Sequence, residues 1–200
     1  WSNSPYLYPY LLHWLDQGGI YAVAHVRGGG EKGEAWHKAG YKTTKPNSWK
    51  DLIACTEYFV QNNYTTSDKI AIWGASAGGI TIGRAITERP DLFATAIIRV
   101  GMLNTLRFEF GPNGKNNIKE FGTVKDSLGF EALQAMDAYH HIKDGVAYPA
   151  VYLTTGINDA RVPAWVPGKF AARLQETTSS GKPVLLDVDF EGGHGFDALQ

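Results

Sequence analysis

Ile70-Ala71-Ile72-Trp73-Gly74-Ala75-Ser76-Ala77-Gly78-Gly79 decides the fold. Residues 70–73 are an apolar run that reads as a buried strand. Residues 77–88 read as a helix that stops before Pro90. Gly74-Ala75-Ser76-Ala77-Gly78 between them fits G-x-S-x-G in the strand–turn–helix context a nucleophile elbow needs. In such a turn the serine takes a strained backbone conformation at the C-terminal end of a strand. The flanking glycines are expected to avoid collision with the neighbouring strand and helix. The competing reading is a glycine-rich turn with an incidental serine.

Outward from this turn, short apolar runs alternate with amphipathic segments. Residues 20–26, lying between Gly18-Gly19 and Gly28-Gly29-Gly30, read as a strand, as do residues 94–100, 148–154 and 184–190. Residues 48–62 read as a helix capped by Ser48, with Asp51 in its first turn and an apolar stripe of Leu52, Cys55, Tyr58 and Phe59. A further helix is expected near residues 167–177. Residues 107–147, with Gly111-Pro112-Asn113-Gly114, read as an extended loop of the kind that carries function. Strands separated by helices place the chain in the α/β class, with a doubly wound, mostly parallel sheet covered on both faces.

The 200 residues are one domain's worth of chain, and 19 basic against 20 acidic residues leave a net charge of −1. That balance argues against a nucleic-acid binder working through bulk positive charge and against a polybasic membrane-surface protein. Cys55 is the single cysteine and excludes an internal disulfide framework. The longest stretch free of Asp, Glu, Lys and Arg, residues 1–15, contains Pro5, Pro9 and His13 and is too short for a membrane span. It also lacks the basic region and cleavage site of a signal peptide, which leaves the compartment open with a lean toward the cytoplasm.

A serine nucleophile needs a base, and the base needs an orienting acid. In hydrolases built on this elbow the order is Ser, then Asp or Glu, then His. Asp159 follows the 148–154 strand, and His194, between Gly193 and Gly195, follows the 184–190 strand. Either alone would be unremarkable, a solvated loop carboxylate or an ambiguous histidine. Three residues in this order, each just after a strand, are much harder to obtain by chance. Asp159, rather than Asp187, Asp189 or Asp197, is expected to be the acid because it follows the strand expected to flank the histidine's own; Asp187 and Asp189 alternate onto one strand face and read as surface charges. Gly28-Gly29-Gly30-Glu31-Lys32-Gly33 contains G-x-G-x-x-G. No apolar-striped helix begins inside it and Asp51 falls in a helix, so a dinucleotide site is not expected. His140-His141 are adjacent and no H-E-x-x-H occurs, so neither metal nor cofactor is expected. Cys55 reads as core, and Asn63-Tyr64-Thr65 as a chance glycosylation triplet.

These blocks resemble the prolyl oligopeptidase family of serine peptidases, specifically its C-terminal α/β-hydrolase catalytic domain. The resemblance rests on Gly18-Gly19 with the expected strand through Val26, on Arg27-Gly28-Gly29-Gly30-Glu31-Lys32-Gly33-Glu34-Ala35-Trp36-His37-Lys38-Ala39-Gly40, on Gly74–Gly79, and on Arg89-Pro90-Asp91-Leu92-Phe93. It continues through Asn158–Val162 and Gly192-Gly193-His194-Gly195. It implies Ser76 as nucleophile, Asp159 as orienting acid, His194 as general base and the Ala77 N–H as an oxyanion donor. It also implies that Arg161 binds a substrate carbonyl and that Met102, Asn117, Phe121 and Val162 line the specificity pocket. Asn117 stands where proline-selective members carry a tryptophan, and Phe121 where they carry a tyrosine. An amide offers no ring face for proline, so strict post-proline cleavage is not expected. The family's second oxyanion donor is a tyrosine hydroxyl, and none of Tyr6, Tyr8 or Tyr10 has the glycine-rich context that role would need.

The expected substrate is therefore a short peptide, cleaved through an acyl-enzyme. An esterase of the same fold and a non-catalytic hydrolase-like fragment are the alternatives. Residues 1–200 read as one partial catalytic domain, truncated at both ends and without the family's N-terminal β-propeller. An uncovered sheet surface open to association, and weak catalysis by the piece alone, are the corresponding expectations.

Overall fold

The structure is a computed structural model that describes residue 9 and residues 11–195. Tyr6, Tyr8, Tyr10 and Asp197 lie outside the described residues. The helices are α1 Leu11–Asp16, α2 Glu34–Lys38, α3 Pro46–Gln61, α4 Gly78–Glu88, α5 Gly114–Phe121, α6 Ser127–Met136 and α7 Trp165–Thr177. Strands β1 Ala71–Ala75, β2 Thr95–Arg99, β3 Ala150–Gly156 and β4 Val184–Asp189 form one sheet in the order β1-β2-β3-β4, every neighbouring pair parallel. No helix among the described residues is long and apolar enough to cross a membrane.

Strand order increases steadily across the sheet, and this has a geometric consequence. Right-handed crossovers that all advance in one direction put all their helices on one face. Ile72, Ala96, Val151 and Val184 are partners across the sheet, and all are buried. Gly74 and Leu186 belong to the same face; there a Cβ on Gly74 would stand 2.6 Å from Ile82 of α4, and one on Gly168 of α7 would stand 3.8 Å from Leu186. Ile80, Ile86, Phe170 and Leu174 complete this layer of the core with Ile98 and Leu153. Trp73, Tyr152 and Leu185 point to the opposite face and are exposed. The parallel α/β architecture is as expected. The two-sided covering is not supplied by the described residues, because a second face is wound only where strand order reverses.

Other expectations are corrected. Residues 20–26 form no strand: Val26 N–H donates to Ala24 O at 2.9 Å, closing a tight turn that an extended ladder excludes. Residues 107–147 hold α5 and α6, not an extended loop. Gly122 (φ 106°) ends α5, and Asp126 caps α6 by accepting the Gly129 N–H at 2.7 Å. Helix α3 begins at Pro46 and is rotated from the expected stripe, burying Ser48, Trp49, Ile53 and Thr56. Cys55 is consequently exposed rather than core.

The rotation of α3 has a purpose in the packing. Ser48 donates its hydroxyl to Arg27 O at 2.6 Å, and Asp51 accepts the Arg27 backbone N–H and its guanidinium. Burial works against ionisation of Asp51, but the bonds from Arg27 outweigh it and hold the carboxyl below its ordinary range. The Arg27-Gly28-Gly29-Gly30 turn is thereby pinned to α3.

Two adjacent glycines at the start of α4 differ sharply. A Cβ on Gly79 would lie 2.6 Å from Gly101 Cα and 2.8 Å from Met102 N, whereas one on Gly78 meets nothing within 4 Å. Gly79→Ala should therefore cost about 1–3 kcal/mol by overpacking against backbone that cannot step aside. Gly78→Ala should be neutral or stabilise by up to about 1 kcal/mol through helix propensity. Urea denaturation midpoints of the two variants check this, and equal shifts would contradict it.

Candidate active site

Ser76, Asp159 and His194 follow the C-terminal ends of β1, β3 and β4, and the parallel register brings all three to one edge of the sheet. His194 Nε2 is 3.0 Å from Ser76 Oγ, and His194 Nδ1 is 2.7 Å from Asp159 Oδ2. The second carboxylate oxygen, Oδ1, accepts the N–H groups of Arg161 and Val162 at 2.8 Å each. The Asp159 side chain is 0% exposed and that of His194 15%. An ionised carboxylate is an acceptor only, so Asp159 places the imidazole proton on Nδ1. Nε2 is then left to accept a hydrogen bond from the Ser76 hydroxyl.

Ser76 has φ 52°, a left-handed conformation that is strained for a residue with a side chain. Its N–H donates to Arg99 O, and its carbonyl accepts the N–H groups of Gly79 and Met102, all at 2.9 Å. Val100, whose φ is 44°, stands in the next strand's exit and donates its N–H to Thr154 O at 2.8 Å. A β-branched residue at positive φ is a genuine outlier, and such outliers gather at functional sites. Ala77 caps the start of α4, and its N–H makes no backbone hydrogen bond among the described residues.

The histidine loop is shaped by contacts the sequence reading missed. Asp189, set aside as a surface charge, accepts the N–H groups of Glu191 and Gly192 at 2.9 and 2.8 Å. Gly192 O accepts the Asn158 N–H at 3.0 Å, which ties the histidine loop to the acid loop. A Cβ on Gly156 would stand 2.4 Å from both Gly192 O and Gly193 O, so only glycine permits this approach. The local signal was the Asp189-Phe190-Glu191-Gly192 pattern of an Asx turn. Asp187 does behave as a surface group, accepting the Tyr152 hydroxyl at 2.8 Å and pushing that phenol's pKa up.

The expected pocket residues are brought together only in part. Asn117, Arg161 and Val162 line one narrow recess with Phe108 and Trp165. The Asn117 amide donates to Phe108 O at 3.4 Å and accepts from Asn113 at 3.2 Å. Phe121 is buried and packs edge-on against Phe108 with ring centroids 6.1 Å apart, behind the recess rather than in its wall. Met102 is buried in the core, and its contribution to the site is the backbone bond to Ser76. Trp165, at the start of α7, and Arg107 were not singled out by the sequence reading, yet both line this space. Among the described residues no group of three or more His, Cys, Asp or Glu side chains is placed to hold a metal ion.

Comparison with known proteins bears on the whole constellation. The family model described as "Prolyl oligopeptidase family" matches residues 6–199. The chain is 40% identical over 183 residues to the prolyl endopeptidase of Elizabethkingia miricola, covering 91% of this chain and 26% of that protein. It is 33% identical to dipeptidyl aminopeptidase BI of Pseudoxanthomonas mexicana, over 90% of this chain and 25% of the relative. The solved structure of oligopeptidase B from Leishmania major superposes with a TM-score of 0.92 at 31% identity, covering 96% of this chain and 27% of that one. The chain thus spans about a quarter of the length of these relatives. With its parallel sheet, elbow serine and matching blocks, the chain belongs to the prolyl oligopeptidase family.

Proposed function

We propose that this chain carries the catalytic centre of a serine peptidase that cleaves short peptides through an acyl-enzyme. The observation that supports this most strongly is the unbroken chain of hydrogen bonds Ser76–His194–Asp159 at the edge of the sheet. Ser76 Oγ attacks the scissile carbonyl while His194 Nε2 takes its proton. Asp159 steadies the resulting imidazolium, and the Ala77 N–H faces the oxyanion. His194 then returns the proton to the departing amine, and water repeats the sequence to release the acyl group. Arg161 is assigned to a substrate carbonyl. Its side chain is exposed at the recess while its backbone N–H is fixed on Asp159.

The names of the relatives span prolyl endopeptidase, oligopeptidase B and dipeptidyl aminopeptidase, so the family alone does not fix specificity. At the recess Asn117 presents an amide whose polar atoms are already engaged, and no aromatic face. A strict requirement for proline is therefore not part of the proposal.

A fluorophosphonate probe should label Ser76 in the folded protein, with labelling abolished in Ser76→Ala and strongly reduced in His194→Ala. Absence of labelling in a folded sample would sink the reading. Turnover of paired amide and ester substrates then separates a peptidase from an esterase of the same fold.

Asp159→Asn should leave the fold intact but disturb the imidazole tautomer, lowering turnover by about 10⁴ by analogy with other serine triads. A loss below tenfold would show that the acid has been misassigned.

A further inference from the structure

A cleft of about 440 Å³ opens beside the narrow recess, lined by Arg107, Phe110, Gly111, Pro163, Trp165 and Lys169. Its volume falls within the range of small-ligand sites. The recess shares Arg107, Gly111, Pro163 and Trp165 with it and adds Arg161. Three cations thus line these two adjoining spaces, and no carboxylate is among the residues lining either one. Arg107 and Arg161 form no ion pair among the described residues. Lys169 forms no direct ion pair among the described residues: its Nζ donates to Asn104 Oδ1 at 3.0 Å and lies 4.0 Å from the Tyr139 ring centroid, and the Asn104 amide in turn donates to the buried Asp137 carboxylate at 2.7 Å. Glu109, the acid nearest Arg107 in sequence, is occupied elsewhere. Its carboxylate accepts the Thr123 hydroxyl and the Val124 N–H and pairs with Lys125.

Two further features favour a negatively charged occupant. Helix α7 starts at Trp165, so the positive end of its dipole faces the cleft. Phe110 is 64% exposed and Trp165 48%, apolar surface that a peptide backbone and side chains would cover. The space is joined to the triad through the chain itself, since Arg161 and Val162 donate their N–H groups to Asp159.

We propose that this cleft is a carboxylate-binding subsite in which Arg107 and Lys169 select peptides bearing an acidic side chain or a free C-terminus near the scissile bond. Phe110 and Trp165 supply its apolar walls. The subsite rests on the peptidase reading and extends it from reaction to substrate preference. The carboxylate supplies the direct ion partner that Arg107 and Lys169 lack among the described residues, and the partly enclosed walls reduce solvent screening of the pair.

Matched fluorogenic peptides test this in two arms: Glu against Gln at positions on either side of the scissile bond, and a free C-terminal carboxylate against its carboxamide. Both kcat/KM and equilibrium binding, the latter by anisotropy on Ser76→Ala protein, are compared. The acid should be favoured by about tenfold in at least one arm, and the arm that responds identifies the source of the carboxylate. Arg107→Gln and Lys169→Gln should each lower the acid-to-amide ratio, Arg107→Glu should bring it to one or invert it, and added salt should reduce it. Ratios near one in both arms, or a ratio untouched by these substitutions, would overturn the subsite while leaving the peptidase reading standing. An acid preference in binding with no cleavage of any peptide would do the reverse.

Discussion

The backbone of Ser76 is held from three sides. Its N–H is fixed by Arg99 O at the end of β2, and its carbonyl accepts Gly79 N–H from α4 and Met102 N–H from the β2 exit. These bonds keep the residue at φ 52°, a conformation it would not hold in isolation. They also require α4 to press against the Gly101–Met102 backbone, which is possible only because position 79 has no side chain. The strain on one serine, the entry angle of α4 and the path out of β2 are therefore one coupled constraint.

The remaining members of the site are placed by the sheet. Because β1, β3 and β4 are parallel, their C-terminal ends meet at one edge, and residues far apart in sequence emerge as neighbours. The loops after β3 and β4 then brace each other. Gly156 admits the Gly192–Gly193 carbonyls, Asn158 and Gly192 share a hydrogen bond, and Asp189 gathers two N–H groups at the start of the turn. Asp159 is held in turn by two N–H groups of its own loop, so both of its oxygens have defined partners. Preorganisation of this kind lets a histidine between glycines keep a single orientation.

The same loop that fixes the acid continues into Pro163 and α7, and carries the wall of the cleft with it. The charge lining the cleft and the geometry around Asp159 are thus linked through a few consecutive residues. The excess of cations in that wall is local: the chain as a whole is nearly neutral, and Glu109, the acid nearest Arg107 in sequence, is drawn into contacts with Thr123 and Lys125.

Much of this was determined by the sequence alone. The parallel α/β class followed from short apolar runs alternating with amphipathic ones, and the G-x-S-x-G turn, Asp159 and His194 stood out because strand ends and motif order are local properties. Long-range packing decided the rest. Residues 20–26 have the composition of a strand, but composition cannot create a ladder partner, and a tight turn at Ala24–Val26 takes its place. Residues 107–147 hid two helices behind Asn and Gly, whose weak helix propensity is overridden by burial of Phe121, Leu133 and Met136. Cys55 reads as core on a helical wheel, yet α3 turns to place Ser48 and Asp51 against Arg27, which leaves the cysteine exposed. The cationic cleft is the clearest case. Arg107 and Lys169 are ordinary charges in sequence, and only the tertiary fold leaves them facing one space without a carboxylate. Local pattern specifies which element a residue enters; which face it presents, and to what, depends on contacts between segments distant in the chain.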